Sequence, residues 1–289
     1  MTTRGDSCLT CEQHSDNYTG SDGSKNMRDW SMDDFNVSET VSTSSSSTVF
    51  LARERASGTP CVLKRISKAQ AVRNHLCKQI ERELSIHSRL DHSNVVTMYA
   101  WFHEVRSIYI VMEPADMTVA HLIQSRLPGS VDDSTVTRLI SHLLSGLAYL
   151  HALNIIHRDI KPSNLFLVSA GSKFILKIGD FGCSVHTTDI RRSVRGTTPY
   201  LAPEIVSGSG HSFAVDIWSS GITAHELLTG NLFFDGDSPM EIYRKILKED
   251  YTPPETLNDH LTSFLISCLE KDPTNRRTAI ELIKIISCE

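Results

Sequence analysis

The pattern of apolar and polar positions changes about one third of the way along the chain, from strand-like to helical. Before that point, short apolar runs bounded by turn residues predict strands at 41–52, 59–66 and 107–113. Pro114 closes the last of these runs. The first run carries a Ser/Thr stretch in its middle, from Ser42 to Thr48.

Helical spacing takes over in the rest of the chain. The charged segment 77–87 places Ile80, Leu84 and His87 on one face, which predicts a helix packed on a core. Four leucines repeat at the same spacing and predict a longer helix with one buried face: Leu139, Leu143, Leu147 and Leu150. Three more segments are predicted to be helical: 212–228, 243–246 and 261–269.

This change of pattern predicts an α+β fold with two lobes. A small, strand-rich lobe with one key helix is expected over about 34–113, a hinge at 113–117, and a larger helical lobe over 118–289. The segment before them, 1–33, is predicted to be a disordered tail. Its first 28 or so residues are rich in Ser, Thr, Asp, Gly and Asn and poor in aliphatic side chains.

Composition excludes several classes of protein. The chain has 289 residues, 40% hydrophobic and 22% charged, which suits a soluble globular protein with a sizeable core. Its net charge of −5 gives no electrostatic reason to expect nucleic acid or an anionic membrane as a partner. No apolar run reaches membrane-spanning length. Seven scattered cysteines form no disulfide framework and predict reduced thiols, which are typical of an intracellular protein.

The strongest chemical signal is the run HRDIKPSN, which begins at His157 and is followed by DFG at Asp180. Phosphoryl transfer from ATP needs a group that orients the attacking hydroxyl, a cation near the phosphate and oxygen ligands for Mg²⁺. Asp159 is the candidate base, and Lys161 can reach the transferring phosphate. Asn164 and Asp180 supply oxygen ligands of the kind that Mg²⁺ prefers.

Two charged residues upstream fit the same chemistry. Lys64 lies on a predicted strand and can bind the α- and β-phosphates, and Glu83 lies nineteen residues later on the predicted helix. An ion pair between them would hold the ammonium group in place. Either residue alone would be read as a solvated surface charge, and the loop motif is what gives the pair its meaning.

Across residues 35 to about 280, the chain resembles the eukaryotic protein kinases. The matching segments are Val62–Lys64, Glu83, His157–Asn164, Asp180–Gly182, Ala202–Glu204, Asp216–Gly221 and Asp272–Arg276. The resemblance implies a bilobal kinase fold, ATP and Mg²⁺ as cofactors, and Lys161 as the mark of the serine/threonine class. It further implies that Glu204 pairs with Arg276, and that Asp216 anchors the catalytic loop.

Four shorter segments resemble the Aurora branch of that family: Trp30–Phe35, Val49–Glu54, Lys68–Gln70 and Ser184–His186. The segment Arg82–Leu90 is equally typical of polo-like kinases, so the chain resembles that branch in second place. Both branches act in mitosis, at centrosomes, spindles or chromosomes, in the cytoplasm or the nucleus. The Aurora resemblance implies protein substrates and an activating partner on the small lobe of an otherwise monomeric kinase.

The resemblance also implies which residues form the ATP site: Val41, Ser42, Ser44, Ser47, Val49, Val62, Lys64, Glu83, Met112, Glu113, Ala115, Phe166 and Asp180. Ser42, Ser44 and Ser47 stand where the family has the three glycines of its phosphate loop. Glycine there permits positive φ and a close approach of backbone amides to phosphate. Val62 and Phe166 replace smaller residues beside the adenine. We therefore expect weak ATP binding, and the alternative is a pseudokinase or weakly active scaffold.

Substrate choice and regulation depend on a further group of positions. Ser163 stands where kinases that prefer basic substrates often have Glu, whereas Glu226 matches a second acidic position with the same use. Ser193, which follows two arginines, is predicted to be the activation-loop phosphosite, and its phosphate would pair with Arg158. Thr197 is expected to contact Asp159 as part of the substrate-facing loop.

Overall fold

The computed structural model describes residues 30–125, 132–187, 196–210 and 212–287. Most of the predicted disordered tail, residues 1–29, lies outside these ranges, and so does the predicted phosphosite Ser193. The described residues form two compact units. The first comprises 30–90 and Thr97–Pro114, and the second comprises Asp91–Val96 and the described residues from Ala115 onward.

The first unit is built on a five-stranded antiparallel sheet in the order β1-β2-β3-β5-β4. Its strands are β1 (Phe35–Thr43), β2 (Ser47–Glu54), β3 (Pro60–Ser67), β4 (Met98–His103) and β5 (Ser107–Met112). Two helices follow β3, namely α1 (Lys68–Arg73) and α2 (Cys77–His87). Helix α2 has the bounds that the helical spacing predicted, whereas β4 and α1 were not predicted.

Alternation along β5 gives this sheet two buried faces. Ile108 and Ile110 join one cluster, which the α2 residues Ile80 and Leu84 complete. Tyr109 points to the opposite face, since successive strand residues alternate. There it belongs to an aromatic cluster in which Phe102 stacks on Tyr109 at 4.9 Å and on Phe35 at 5.8 Å between ring centroids. Both faces of the sheet are therefore fixed by packing.

The second unit is mainly helical. Its helices are α3 (Val119–Gln124), α4 (Asp133–Ala152), α5 (Pro203–Val206), α6 (Ala214–Thr229), α7 (Pro239–Lys248), α8 (Asp259–Cys268) and α9 (Ala279–Ser287). Its strands are β6 (Met117–Thr118), β7 (Ile155–Ile156), β8 (Leu165–Ala170), β9 (Lys173–Ile178) and β10 (Val185–His186). They form a three-stranded sheet, β6-β8-β9, and a β7-β10 pair.

Helix α4 forms the centre of this unit. The four leucines of its predicted apolar face are all at most 2% exposed, and the helix packs against α6, α9 and β9. On α6, Trp218 is fully buried and stacks on Phe234 at 5.9 Å. Burying one such large apolar side chain contributes on the order of 1.5–3 kcal/mol. The predicted α+β class, with a sheet-rich first unit and a helical second unit, is confirmed.

In the part of the chain that the structure describes, no helix combines the length and the apolar character needed to cross a membrane.

Candidate active site

The turn between β1 and β2, taken with the strand ends beside it (residues 42–47, the serine hairpin), is closed by a side chain instead of by glycines. Ser44 Oγ accepts hydrogen bonds from the amides of Ser46 and Ser47, at 3.4 and 3.0 Å. It also lies 2.9 Å from Ser47 Oγ and 3.2 Å from the Ser47 carbonyl oxygen. No residue of this hairpin has a positive φ. The turn thus forms without the backbone conformation for which glycine is specialised.

Strand register places the serine hairpin next to Lys64 within the first unit. Ser42 pairs with Val49 across β1 and β2, and Val49 pairs with Lys64 across β2 and β3. Lys64 Nζ donates to Glu83 Oε1 at 2.7 Å, and these side chains are 19% and 7% exposed. A short, partly shielded bond between charged groups fixes the direction of the ammonium.

The predicted base-facing residues of the first unit lie on β3 and at the end of β5. Val62 pairs with Met112 across these two strands. The next residue, Glu113, exchanges hydrogen bonds with Thr97, since its carboxylate accepts from the Thr97 amide at 2.6 Å and its own amide donates to the Thr97 carbonyl at 3.0 Å. Ala115, predicted beside them, is assigned to the second unit.

In the second unit, the buried carboxylate of Asp216 holds the motif segment His157–Asn164 (the catalytic loop) in place. Asp216 on α6 accepts from the amides of His157 and Arg158, at 2.9 and 2.7 Å, and from His151 Nε2 at 3.0 Å. Burial alone would raise the pKa of Asp216, but the bond and the charge of His151 outweigh it and the pKa is lowered. Asp216 therefore remains a carboxylate and satisfies donors that would otherwise be buried without partners.

Arg158 shows why this support is needed. Its φ is +67°, a conformation that a residue with a side chain adopts only at a cost of about 1–3 kcal/mol. Its amide bonds to Asp216 and its Nε donates to the carbonyl of Cys183 at 2.7 Å, and these contacts offset the strain. The proposed phosphate partner of Arg158, at Ser193, lies outside the described residues.

Three side chains contact the carboxylate of Asp159. Lys161 Nζ lies 2.8 Å from Asp159 Oδ2, and Asn164 Nδ2 donates to the same oxygen at 2.9 Å. Thr197 donates its hydroxyl hydrogen to Asp159 Oδ1 at 2.9 Å and accepts from Lys161 at 2.6 Å. The carboxylate is half-buried and held at both oxygens. This arrangement can orient a hydroxyl group and present a cation to a phosphate.

The donor atoms around Asn164 and Asp180 suit a magnesium ion. Asn164 directs its amide nitrogen to Asp159, at the carbonyl and the carboxylate, both at 2.9 Å. The amide oxygen is then the atom that can bind a cation. Asp180 is exposed, has φ +58°, and accepts from the Gly182 amide at 3.4 Å through one carboxylate oxygen. An amide oxygen and a carboxylate are ligands that Mg²⁺ accepts beside phosphates and water.

Substrate-loop positions are also brought together. Tyr200 donates its hydroxyl hydrogen to Glu226 Oε2 at 2.6 Å. Burial raises the pKa of the Glu226 carboxyl, and the bond from Tyr200 partly opposes this. Glu226, the acidic residue predicted to bind basic substrates, is thus hydrogen-bonded to the phenol of Tyr200. Ser163, the other position considered for this role, is exposed.

A second buried ion pair supports this part of the unit. Arg276 reaches Glu204 with two parallel contacts of 2.7 and 3.1 Å, and both residues are 6% exposed. Its Nη1 also donates to the Ala214 carbonyl at 2.7 Å, and its guanidinium lies 5.2 Å from the Trp218 ring centre. This two-point geometry is specific to Arg, so Lys could not replace it without loss.

Three residues of these networks were not predicted from the sequence. His151 and Tyr200 bind Asp216 and Glu226, and Gly179 donates its amide hydrogen to the Asn164 carbonyl at 3.0 Å. Only Gly179 carried a usable signal, since it is the small residue directly before Asp180. The other two lie 65 and 26 residues from their partners, and no short motif connects them.

Comparison with known proteins agrees with this geometry. The model of the protein kinase domain family matches residues 35–285. Aurora kinase B of Mus musculus is 33% identical over 274 residues, which cover 94% of this chain and 78% of that protein. Aurora kinase of Encephalitozoon cuniculi is 35% identical over 257 residues, covering 88% and 93%. Aurora kinase A-A of Xenopus laevis is 34% identical over 252 residues, covering 86% of this chain and 60% of that protein.

These relatives carry A-type and B-type names at nearly equal identity, so they favour the Aurora branch over the polo-like one without choosing a type. The match extends over both units, from β1 to α9. The chain belongs to the protein kinase family and is a serine/threonine kinase of the Aurora type.

Proposed function

We propose that this kinase transfers the γ-phosphoryl group of Mg·ATP to Ser or Thr hydroxyls, with Asp159 orienting and accepting the proton of the hydroxyl. Lys161 then neutralises charge on the transferring phosphate. Thr197 holds one oxygen of Asp159 and bonds Lys161, so that base and cation keep a fixed separation. Positioning of this kind supplies most of the catalysis in phosphoryl transfer.

The observation that carries this proposal is the joint engagement of Asp159 by Lys161, Asn164 and Thr197. Asp216, whose role is structural, accepts mainly from backbone amides, whereas Asp159 is engaged by three polar side chains. Here a carboxylate, a cation and a potential metal ligand meet within 3 Å contacts. The alternative of a weakly active scaffold finds no support in the described residues, which include the lysine, both carboxylates and the asparagine that the chemistry needs.

Cofactor binding follows from the family. Protein kinases use ATP and Mg²⁺, and the metal neutralises phosphate charge when it is bound. In this chain we assign Asn164 and Asp180 to the metal. We assign Lys64, oriented by Glu83, to the α- and β-phosphates. As the family resemblance implies, we assign further nucleotide contacts to Ser42, Ser44, Ser47, Val49, Val62, Met112 and Phe166.

We extend the proposal to partners and place of action from the Aurora relatives. The substrates would be proteins, and the kinase would act in mitotic cells at spindles, centrosomes or chromosomes. An activating protein would bind the first unit. Glu226, tied to Tyr200, would contact a basic residue of the substrate only after that bond rearranges. A basic preference is therefore expected to be modest.

Transfer of ³²P from ATP tests the proposed roles directly. Wild-type protein with Mg²⁺ should label itself or a generic basic substrate, and Lys64→Met and Asp180→Asn should each abolish the label. Lys78→Met, at an exposed position of α2, is the matched control and should keep wild-type activity. Absence of label in the wild type at millimolar ATP, or persistence of label in Asp180→Asn, would contradict the assignment.

A further inference from the structure

Gly179, directly before Asp180, has no room for a side chain because the ring of Phe166 occupies the space. A Cβ atom at this position would lie 2.7 Å from Phe166 Cε2 and 3.0 Å from Phe166 Cδ2. It would also lie 3.0 Å from Cγ2 of Val96. Carbon atoms that are not bonded to each other do not pack at 2.7 Å. Any residue other than glycine at 179 would force the aromatic ring to move.

The requirement for glycine comes from space and not from backbone conformation. Gly179 does not have a positive φ, in contrast to Gly171 in the β8–β9 turn, where φ is +63° and no atom would meet a Cβ. Glycine at 179 therefore serves the close approach of a neighbouring group. That group is a phenyl ring at a position where the resemblance leads one to expect the smaller Leu.

Backbone contacts hold both residues in place. Phe166 lies on the central strand of the β6-β8-β9 sheet, paired with Thr118 on one side and Lys177 on the other. The Gly179 amide donates to the Asn164 carbonyl at 3.0 Å, and its carbonyl accepts from His157 Nε2 at 3.0 Å. Neither backbone can shift without breaking these bonds, so a clash would have to be relieved by rotation of the ring.

We propose that Phe166 and Gly179 are a coupled pair that sets nucleotide affinity, with Gly179 accommodating the extra bulk of the phenyl ring. The inference rests on the proposed function, in which Phe166 lines the base site. With glycine at 179 the ring edge can lie over the backbone before Asp180, and the base site keeps its capacity for a purine. A methyl group at 179 would drive the ring toward the site that takes the base.

The pair can be tested with four proteins: wild type, Gly179→Ala, Phe166→Leu and the double variant. For each protein, the affinity for a fluorescent N-methylanthraniloyl derivative of ADP is measured in the presence of Mg²⁺. KM for ATP and kcat are measured on the same proteins. Gly179→Ala should weaken nucleotide binding about tenfold or more, and Phe166→Leu should change it less than about threefold. The double variant should return to within about threefold of the wild type, because Leu leaves room for the methyl group.

Gly221→Ala is the matched control for simple crowding. Its Cβ would lie 2.7 Å from Cβ of Cys268, so the melting temperature should fall. Phe166→Leu should not rescue it, and nucleotide affinity of the folded protein should not change. In contrast to Gly221→Ala, the Gly179→Ala variant should show a larger rise in KM for ATP than fall in kcat.

Four outcomes would overturn the inference. Gly179→Ala could bind nucleotide as the wild type does, or the double variant could bind as weakly as Gly179→Ala. Rescue of the melting temperature without any change in nucleotide affinity would make the pair purely structural and leave the proposed function intact. If the wild type neither binds the nucleotide nor transfers phosphate, both the inference and the proposed function are wrong.

Discussion

The catalytic loop and the serine hairpin reach their shapes by opposite means. The catalytic loop is buried, contains a strained residue, and depends on bonds to Asp216, 58 and 59 residues away in sequence. The serine hairpin is largely exposed, unstrained, and closed by bonds that span no more than three residues. The catalytic loop is held by Asp216 of helix α6, and the serine hairpin is held by its own Ser44 side chain.

These two regions differ in how much change they should tolerate. The residues proposed to touch the reacting groups lie on a backbone that Asp216, distant in sequence, holds in place, so this segment should be narrowly constrained. The proposed phosphate loop needs only a tight turn between two strands, and Ser44 closes that turn with its hydroxyl. The same hydroxyl engages the amides of Ser46 and Ser47, which are groups that could otherwise face a phosphate. Weak ATP binding stays the prediction for this hairpin.

Removing the base should have the largest effect on activity. Asp159→Asn keeps the shape of the side chain but loses the charge that accepts a proton, so kcat should fall by about 10²–10⁴-fold. The melting temperature should change little, because Asp216 still holds the loop. Steady-state kinetics and a thermal melt measure both quantities. Asp237→Asn, at an exposed position, should change neither, and near-normal kcat in Asp159→Asn would refute the role of base.

Loss of the buried anchor should damage stability and activity together. Asp216→Ala leaves the amides of His157 and Arg158 without acceptors and removes the bond that offsets the strain at Arg158. We expect a loss of about 3 kcal/mol in the free energy of unfolding. Urea unfolding measures it, with Asp237→Ala as the control. A loss below about 0.5 kcal/mol would show that the loop does not depend on its distant partner.

Lowering the pH should also weaken the stabilisation that the Asp216 carboxylate provides. The folded protein holds the pKa of Asp216 below its ordinary value of 3.8. The stabilisation is therefore complete above about pH 4 and is lost as the pH falls through the lower, folded pKa. Below about pH 4, wild-type stability should fall more steeply than that of Asp216→Asn. Parallel curves for the two proteins in urea titrations would contradict the assignment.

The hairpin should respond more weakly. Ser44→Ala removes the acceptor for two amides at an exposed turn, so the free energy of unfolding should fall by about 0.5–1 kcal/mol at most. KM for ATP should change by about threefold to tenfold with kcat unaltered, since only the phosphate loop is disturbed. Ser45→Ala is the control, because the structure shows no hydrogen bond from that side chain. Equal effects of the two substitutions would refute the special role of Ser44.

Sequence alone predicted what local patterns encode. Helix α2 followed from its apolar spacing, and the catalytic loop followed from a motif that spans eight residues. Strand β4 was missed because its residues alternate poorly, with Trp101 and Ala100 both half-buried. The contact between Phe166 and Gly179 could not be predicted, since it depends on how β8 and β9 are placed and not on any residue spacing. The closure of the serine hairpin by the Ser44 hydroxyl could likewise not be predicted, because it depends on three-dimensional geometry.

We propose that this chain performs ordinary kinase chemistry with a phosphate loop that the Ser44 hydroxyl closes in place of glycines. The most direct test is the initial rate of phosphoryl transfer over a range of ATP concentrations, for the wild type and for a variant with Ser42, Ser44 and Ser47 all changed to Gly. We expect kcat values within about threefold of each other and a higher KM for ATP in the wild type. A wild type without turnover beside an active glycine variant would contradict the proposed chemistry.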